Sequence, residues 1–239
     1  MWLKNLILIF TVLLFSASCV KKKKEINPGL LGLEYYPVTE GKYVIYDVDS
    51  IVYTDLPKDT FTYKYRIKEK IADSFIDNEG KPAIRLERSI KMYNPLKAYD
   101  SIPWTIKEVW MINADKKSIQ VSERDTRFTK MIFPIQEKAN WNGNAFNTLD
   151  EWIYTYDYVD KSETINNVKL DKVLLIKQFE LKTLISVQVY TEKYAKDIGL
   201  VYREKTDISS NTVVAGVPVE NRIINGFIYK QKIVSYGQE

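Results

Sequence analysis

Few side chains in this chain of 239 residues could carry out chemistry, and their types exclude several kinds of site. The chain contains no His, and its single Cys is Cys19. Without His there is no Ser-His-Asp triad, no Cys-His pair and no imidazole metal ligand. No glycine-rich phosphate loop and no G-x-S-x-G nucleophile motif occurs either. We therefore predict no catalytic residue, no metal site and no cofactor.

Carboxylates are the catalytic groups that remain plentiful, with 31 Asp and Glu residues. A glycoside hydrolase needs two carboxyl groups about 5 to 10 Å apart. No Asp or Glu pair stands out in the sequence. A carboxylate-dependent glycan hydrolase is therefore kept only as an alternative to a protein without enzymatic activity.

Two charged residues fall on the apolar faces of predicted strands. Arg88 is in phase with Leu86 and Ile90. Glu108 is in phase with Trp110 on the next strand along the chain. A buried charge without a partner is very costly, so each of these candidate inward charges should have one. Three readings stay open, which are a bulge or sheet edge that turns the charge outward, a structural ion pair, and a ligand-binding pair.

Aromatic residues recur at every second position of another predicted strand, at residues 151–159. Such a ladder either packs in the core across strands or lines an apolar cavity with amphipathic rings. Two further tyrosines on an earlier strand could line the same space. The candidate ligand-facing residues are Trp152, Tyr154, Tyr156, Tyr158, Tyr63 and Tyr65.

The elements that must position these residues are strands. In residues 60–68, apolar and polar residues alternate strictly, which is typical of an antiparallel sheet with one buried face. Further strands are predicted at 83–93, 105–112, 118–123, 151–159, 172–180, 183–194, 200–207 and 226–235. A short helix is expected around 135–147. The predicted fold is all-β, a large antiparallel sheet curled into an open or half barrel.

One short segment looks partly repeated. Tyr36-Pro37-Val38 resembles Phe133-Pro134-Ile135, and each is followed by further aromatic and Gly residues. Three explanations of this similarity stay open: a duplication of two half-sheets, the use of the same type of turn at the sheet rim in two places, and chance.

The amino terminus has the features of an export signal. Residues 1–18 contain Lys4, an apolar stretch at 5–15 that is too short to span a bilayer, and small residues directly before Cys19. This arrangement resembles a bacterial lipoprotein signal, in a relaxed form familiar in Bacteroidota because Ser16 replaces the usual Leu. The resemblance implies cleavage before Cys19 and acylation of its sulfur, with fatty chains such as palmitate. Two or three acyl chains hold a protein stably at a membrane.

Four consecutive lysines, Lys21, Lys22, Lys23 and Lys24, follow the predicted cleavage site. They either form a solvated tether or press against anionic lipid headgroups. Without these four and Lys4, 30 basic residues face 31 acidic ones, so we expect no nucleic-acid partner. In Bacteroidota, surface lipoproteins tend to carry acidic residues at this point. The lysines therefore favour the periplasmic face of the outer membrane, with the cell surface as the alternative.

The remaining chain is predicted to comprise a lipid anchor and basic tether at 19–34 and a single β-rich domain at 35–239. Short steps in this domain resemble uncharacterised envelope β-proteins, namely the opening Tyr36-Pro37-Val38, the stretch 192–201 and the ending 225–237. At the level of architecture the domain resembles the open-barrel lipoprotein carriers of the Lol pathway. The many in-phase Tyr and Trp residues favour a binding module without enzymatic activity, whose concave, aromatic-lined face holds an apolar or lipid-like ligand. The alternative is an interaction protein that docks onto an envelope protein partner.

Overall fold

A computed structural model describes residues 30–239 as one twelve-stranded antiparallel sheet. The strands are β1 (Lys42–Thr54), β2 (Asp59–Ile76), β3 (Pro82–Met92), β4 (Thr105–Ala114), β5 (Ser118–Glu123), β6 (Thr126–Ile132), β7 (Asn140–Asn142), β8 (Ile153–Ile165), β9 (Val168–Lys182), β10 (Ser186–Ala195), β11 (Gly199–Ser209) and β12 (Asn225–Gln238). The sheet curls into a nearly closed barrel with a seam, which confirms the predicted all-β curled sheet. The predicted signal, Cys19 and the four lysines lie outside the described residues.

The strand order divides the barrel into two halves of the same design. Along the sheet it runs β6-β5-β4-β3-β2-β1-β12-β11-β10-β9-β8-β7. Each half is therefore a six-stranded meander, and the halves are joined where β1 pairs with β12. The two similar aromatic-Pro-aliphatic steps at 36–38 and 133–135 each precede the first strand of a half.

Alternation along the strands places apolar side chains inside the barrel. Val44, Tyr46 and Val48 of β1 are buried at every second position, as expected for a strand with one face on the core. On β2, Ile67 is buried but Tyr63 is 45% exposed. The difference arises because β2 pairs with β3 only as far as Tyr65, so Tyr63 lies beyond the last β3 neighbour.

One end of the barrel is closed by the segment that precedes β1. Leu31 and Tyr35 are buried there, and the Leu31 carbonyl accepts a hydrogen bond from the Ile135 amide at 3.0 Å. Gly32 has a φ of 82°, and a Cβ at this position would lie 2.8 Å from the Ile135 side chain. Glycine adopts this φ readily and has no Cβ, so it lets the segment approach Ile135 closely.

The seam between β6 and β7 is bridged mainly by side chains. The Thr129 amide donates to the Gly143 carbonyl at 2.8 Å. The indole N–H of Trp141 donates to the Thr129 carbonyl, also at 2.8 Å. The Tyr156 hydroxyl accepts from the Ile132 amide at 3.1 Å and donates to the Ile132 carbonyl at 2.8 Å. Backbone groups that a neighbouring strand would otherwise pair are thereby satisfied.

Two features of the fold differ from the sequence prediction. The short helix expected around 135–147 is not formed, since this segment contains turns and the three-residue strand β7, whose Trp141 is held at the seam. Strands β1, β6 and β7 were not among the predicted ranges. Within residues 30–239, no helix has the length and hydropathy needed to cross a bilayer.

Candidate ligand-binding site

The end of the barrel opposite the closed one contains a cavity of about 670 Å³. Its walls are the end of β1, the start of β4, the β5–β6 turn, β11 and the start of β12. Five cations and two carboxylates line it, together with the rings of Tyr53, Trp110, Phe128, Phe227 and Tyr229. The interior at this end is therefore both aromatic and charged.

A second cavity of about 280 Å³ adjoins the first. Glu123, Phe128 and Lys205 line both of them. The second cavity is bounded by Trp152, Tyr154, Tyr190 and Leu149 on its apolar side. The two cavities thus share a charged part of their lining. The smaller cavity differs from the larger one in having an apolar side.

Arg88 and Glu108 point into the barrel and form an ion pair. Arg88 also donates to Glu69 at 2.9 Å, and its guanidinium lies 3.7 Å from the centre of the Trp110 ring. Glu69, Arg88 and Glu108 are direct register partners across β2, β3 and β4. The arrangement is thus an ion pair within a cross-strand row, and Arg88 is 5% exposed.

The pKa of Glu108 reflects how its neighbours in this row stabilise the ionised carboxylate. Burial raises the pKa of Glu108, but the positive charge of Arg88 and hydrogen bonds to the carboxylate outweigh it and leave the pKa lowered. Glu108 also contacts Arg124 at the cavity mouth, at 3.3 Å. Glu108 therefore stays ionised at neutral pH.

A second row of polar partners crosses β10, β11 and β12. Glu192 pairs in register with Arg203, and Arg203 with Gln231. Arg203 donates to Glu192 at 2.8 Å, and Lys130 from β6 reaches the same carboxylate at 3.1 Å. Glu192 is 0% exposed. Burial raises the pKa of Glu192, but Lys130 and Arg203 together lower it to about 2.

Glu123 links this second row to the cavity wall. Lys130 lies 2.7 Å from its carboxylate and Arg203 lies 3.2 Å away. The third cation, Lys205, is 3.8 Å away, beyond hydrogen-bond distance. Burial opposes the charge of Glu123, but the three cations lower its pKa well below the usual range. Its charge is therefore shared among three cations.

No protein-family model, curated protein or solved structure matches this chain. In the part of the chain that the structure describes, no group of three His, Cys, Asp or Glu residues could hold a metal ion.

The six aromatic residues predicted to face a ligand have different environments. Trp152 and Tyr154 line the smaller cavity. Tyr156 bridges the seam, and the Tyr158 hydroxyl bonds Glu163. Tyr63 and Tyr65 of β2 are not among the residues that line either cavity. The ladder splits because bulges interrupt the β8–β9 pairing beyond Tyr156.

Sequence reasoning missed the second row, although the signal that pointed to Arg88 was also present there. Glu192 is in phase with Tyr190 and Tyr194, and Arg203 is in phase with buried Val201. On β10 and β11, as at Arg88 on β3, a charged residue is in phase with the apolar face of its strand. Lys130 is likewise in phase with Phe128 and Ile132, but its strand was not among the predicted ranges.

Proposed function

We propose that this protein is a binding module that holds a small ligand in the two joined cavities at the open end of the barrel. The observation that carries the proposal is the pair of cavities, about 670 and 280 Å³, in a barrel whose other end is filled by hydrophobic side chains around a cavity of about 50 Å³. Concave sites of this size with a few convergent polar groups are the usual form of small-molecule sites.

The lining favours an amphipathic ligand. The larger cavity has five cations in its wall, namely Arg88, Lys107, Arg124, Arg203 and Lys205, against the carboxylates of Glu108 and Glu123. A purely apolar ligand would displace water from these charges without making any polar contact that compensates for the lost hydration. A ligand with an apolar body and a polar or anionic head suits both the aromatic and the charged wall.

The carboxylates of the cavity support binding rather than hydrolysis. A glycosidase needs one carboxyl group whose pKa is raised, so that it can donate a proton. The pKa values of Glu108 and Glu123 are both lowered by adjacent cations, after burial has raised them. Neither group is set up as a general acid at neutral pH.

Dye binding tests the proposal. We expect the full chain to bind the anionic fluorescent dye anilinonaphthalene sulfonate with one saturable site. Ser50→Phe places a ring in the larger cavity and should weaken binding about tenfold or more. Asp49→Phe is the matched control, because neighbouring residues of a strand point to opposite faces. Equal binding by both variants, or no saturable binding by the unmodified chain, would overturn the proposal.

We also propose that the domain is held at the outer membrane by lipid on Cys19. The support is the resemblance of the first 19 residues to a lipoprotein signal. Mass spectrometry of the mature amino-terminal peptide should find a diacylglyceryl group on Cys19, and Cys19→Ser should release the protein from membranes. A mature chain with an unmodified Cys19 would contradict this proposed membrane anchor.

A second candidate function is protein docking through the loops at the open end. Leu56, Leu96 and Leu184 are 92%, 91% and 72% exposed, on three separate loops at that end. A crosslinking experiment in whole envelopes tests it, with Leu56→Ser and Leu184→Ser as variants. Leu30→Ser is the control, because Leu30 is 73% exposed at the closed end. A crosslinked protein that Leu184→Ser loses and Leu30→Ser retains would favour docking.

A further inference from the structure

Lys205 has the weakest charge pairing of the cations in the second polar row. It lies on β11, where the two cavities meet, and 30% of its side chain is exposed. The one carboxylate within 4 Å of its ammonium, among the described residues, is that of Glu123 at 3.8 Å. That carboxylate is already held at 2.7 Å by Lys130 and at 3.2 Å by Arg203. Lys205 therefore presents one largely uncompensated positive charge to both cavities.

Within the second row the cations outnumber the carboxylates, and Glu69 of the first row also acts on Arg203. Two carboxylates, Glu123 and Glu192, face three cations, Lys130, Arg203 and Lys205. Asp150 also lines the smaller cavity, but it lies on an exposed loop where water solvates it. An anion with a single charge would balance the row.

Gln178 is a second polar group in the smaller cavity that is short of a partner. The side chain lines the cavity and the residue is 3% exposed. Its amide Nε2 has no hydrogen-bond acceptor within residues 30–239. Gln178 falls between the Phe179–Tyr190 and Lys177–Thr191 pairs, in a bulge of the β9–β10 ladder. Bulges commonly re-aim a side chain in this way, and buried donors normally have an acceptor.

The wall beside these two donors is aromatic. Trp152 stacks on Phe179 with ring centres 4.4 Å apart and meets Tyr190 edge-on at 4.9 Å. Trp152 and Tyr190 both line the smaller cavity. A flat apolar body fits against such a wall, since aromatic rings gain from stacked and edge contacts.

We propose that the smaller cavity binds a small monocarboxylate with a flat apolar body. Its carboxylate accepts hydrogen bonds from Lys205 and Gln178, and its body lies against Trp152 and Tyr190. The inference rests on the proposed binding function and names the chemical class of the ligand.

Calorimetry with two probes of the same shape tests the class. Naphthoate and naphthalenemethanol share the ring system and differ in the head group. At neutral pH we expect the full chain to bind naphthoate at least about tenfold more tightly than the alcohol, because a charge-assisted hydrogen bond replaces a neutral one. Binding of both probes with equal affinity would overturn the carboxylate class and leave the binding function standing. If neither probe nor the dye bound, the binding function itself would fail.

Variants test the location. Lys205→Met keeps the length of the side chain and removes its charge, so it should abolish the preference for naphthoate. Lys205→Arg should retain the preference. Lys107→Met is the matched control, because Lys107 lines only the larger cavity. Gln178→Leu should weaken naphthoate binding about threefold to tenfold. A preference that survives both Lys205→Met and Gln178→Leu would place the carboxylate elsewhere. If Lys205→Met did not fold, Gln178→Leu and the two probes would decide the question.

Discussion

Arg88 and Glu108 are direct partners on neighbouring strands β3 and β4, and they form an ion pair inside the barrel. Arg88 bridges Glu108 to Glu69 on its other side. A cation that lies between two carboxylates in this way stabilises the fold, because its removal leaves two negative charges without their common partner.

Replacement of Arg88 should therefore be severe. We expect Arg88→Met to lower the free energy of unfolding by about 3 to 5 kcal/mol, the typical cost of breaking a buried ion pair from one side. Urea denaturation followed by tryptophan fluorescence measures it. Arg66→Met is the control, since Arg66 pairs with Asp47 in a half-exposed site and should cost about 1 kcal/mol or less. Similar losses for the two variants would contradict the role of Arg88.

The hydroxyl group of Tyr156 should contribute strongly to the stability of the seam. Tyr156→Phe removes the group that pairs with both the amide and the carbonyl of Ile132. We expect a loss of about 1 to 3 kcal/mol in unfolding free energy, since backbone groups lose their partner. Amide hydrogen exchange should also speed up in β6.

The matched control for the seam is Tyr202→Phe. Its hydroxyl bonds a neighbouring side chain, Glu204, at 2.8 Å and no backbone group. This variant should leave exchange in β6 unchanged. Unchanged exchange in Tyr156→Phe as well would mean that the seam is held by other contacts.

Glu192 should make the barrel sensitive to acid. Its pKa is lowered to about 2 in the folded state, where Lys130 and Arg203 overcome the effect of burial. A lowered folded pKa stabilises the protein above the unfolded pKa of about 4.3, and this stability is lost as the pH falls from there towards 2. Glu192→Gln should flatten the fall in melting temperature between about pH 5 and 2. Glu137→Gln, at an exposed position, should leave the profile unchanged.

Binding of naphthoate should weaken in alkali. The pKa of Lys205 is lowered to about 8, chiefly by burial and also by the nearby charges of Arg203 and Lys130, against the opposing charge of Glu123. The ammonium is present below this pH and lost above it, whereas a carboxylate ligand stays ionised. Affinity should therefore fall about fivefold between pH 8 and 9, as the charged fraction of Lys205 falls from about one half to about one tenth. Calorimetry across this range measures it.

The control for this pH effect is Lys205→Arg, because a guanidinium keeps its charge throughout the range. The other groups that face Lys205, apart from those above, are Glu192 in the second row and the register partners Tyr190 and Tyr229. The tyrosine pKa values are raised, mainly by burial, so neither ring titrates below pH 9. A flat profile for the unmodified chain would contradict the role of Lys205.

The sequence by itself determined most of the strands and the inner face of their paired parts. Alternation at 60–68 placed Ile67 inside the barrel, and phase with Leu86 placed Arg88 on the inner face of its own strand. Such patterns report the face of a side chain because successive residues of a strand point to opposite sides. They also showed that an inward charge at Arg88 required a partner.

Only the tertiary structure decided which residues meet. Lys130 and Glu192 are 62 residues apart in the chain and lie on strands from different halves of the barrel. The bulge at Gln178, the seam at Tyr156 and the weak pairing of Lys205 likewise depend on how strands align over long distances. Alternation fixes the face of each residue but carries no information about the order or register of the strands. Contacts that close the barrel are therefore set by the packing of the whole sheet.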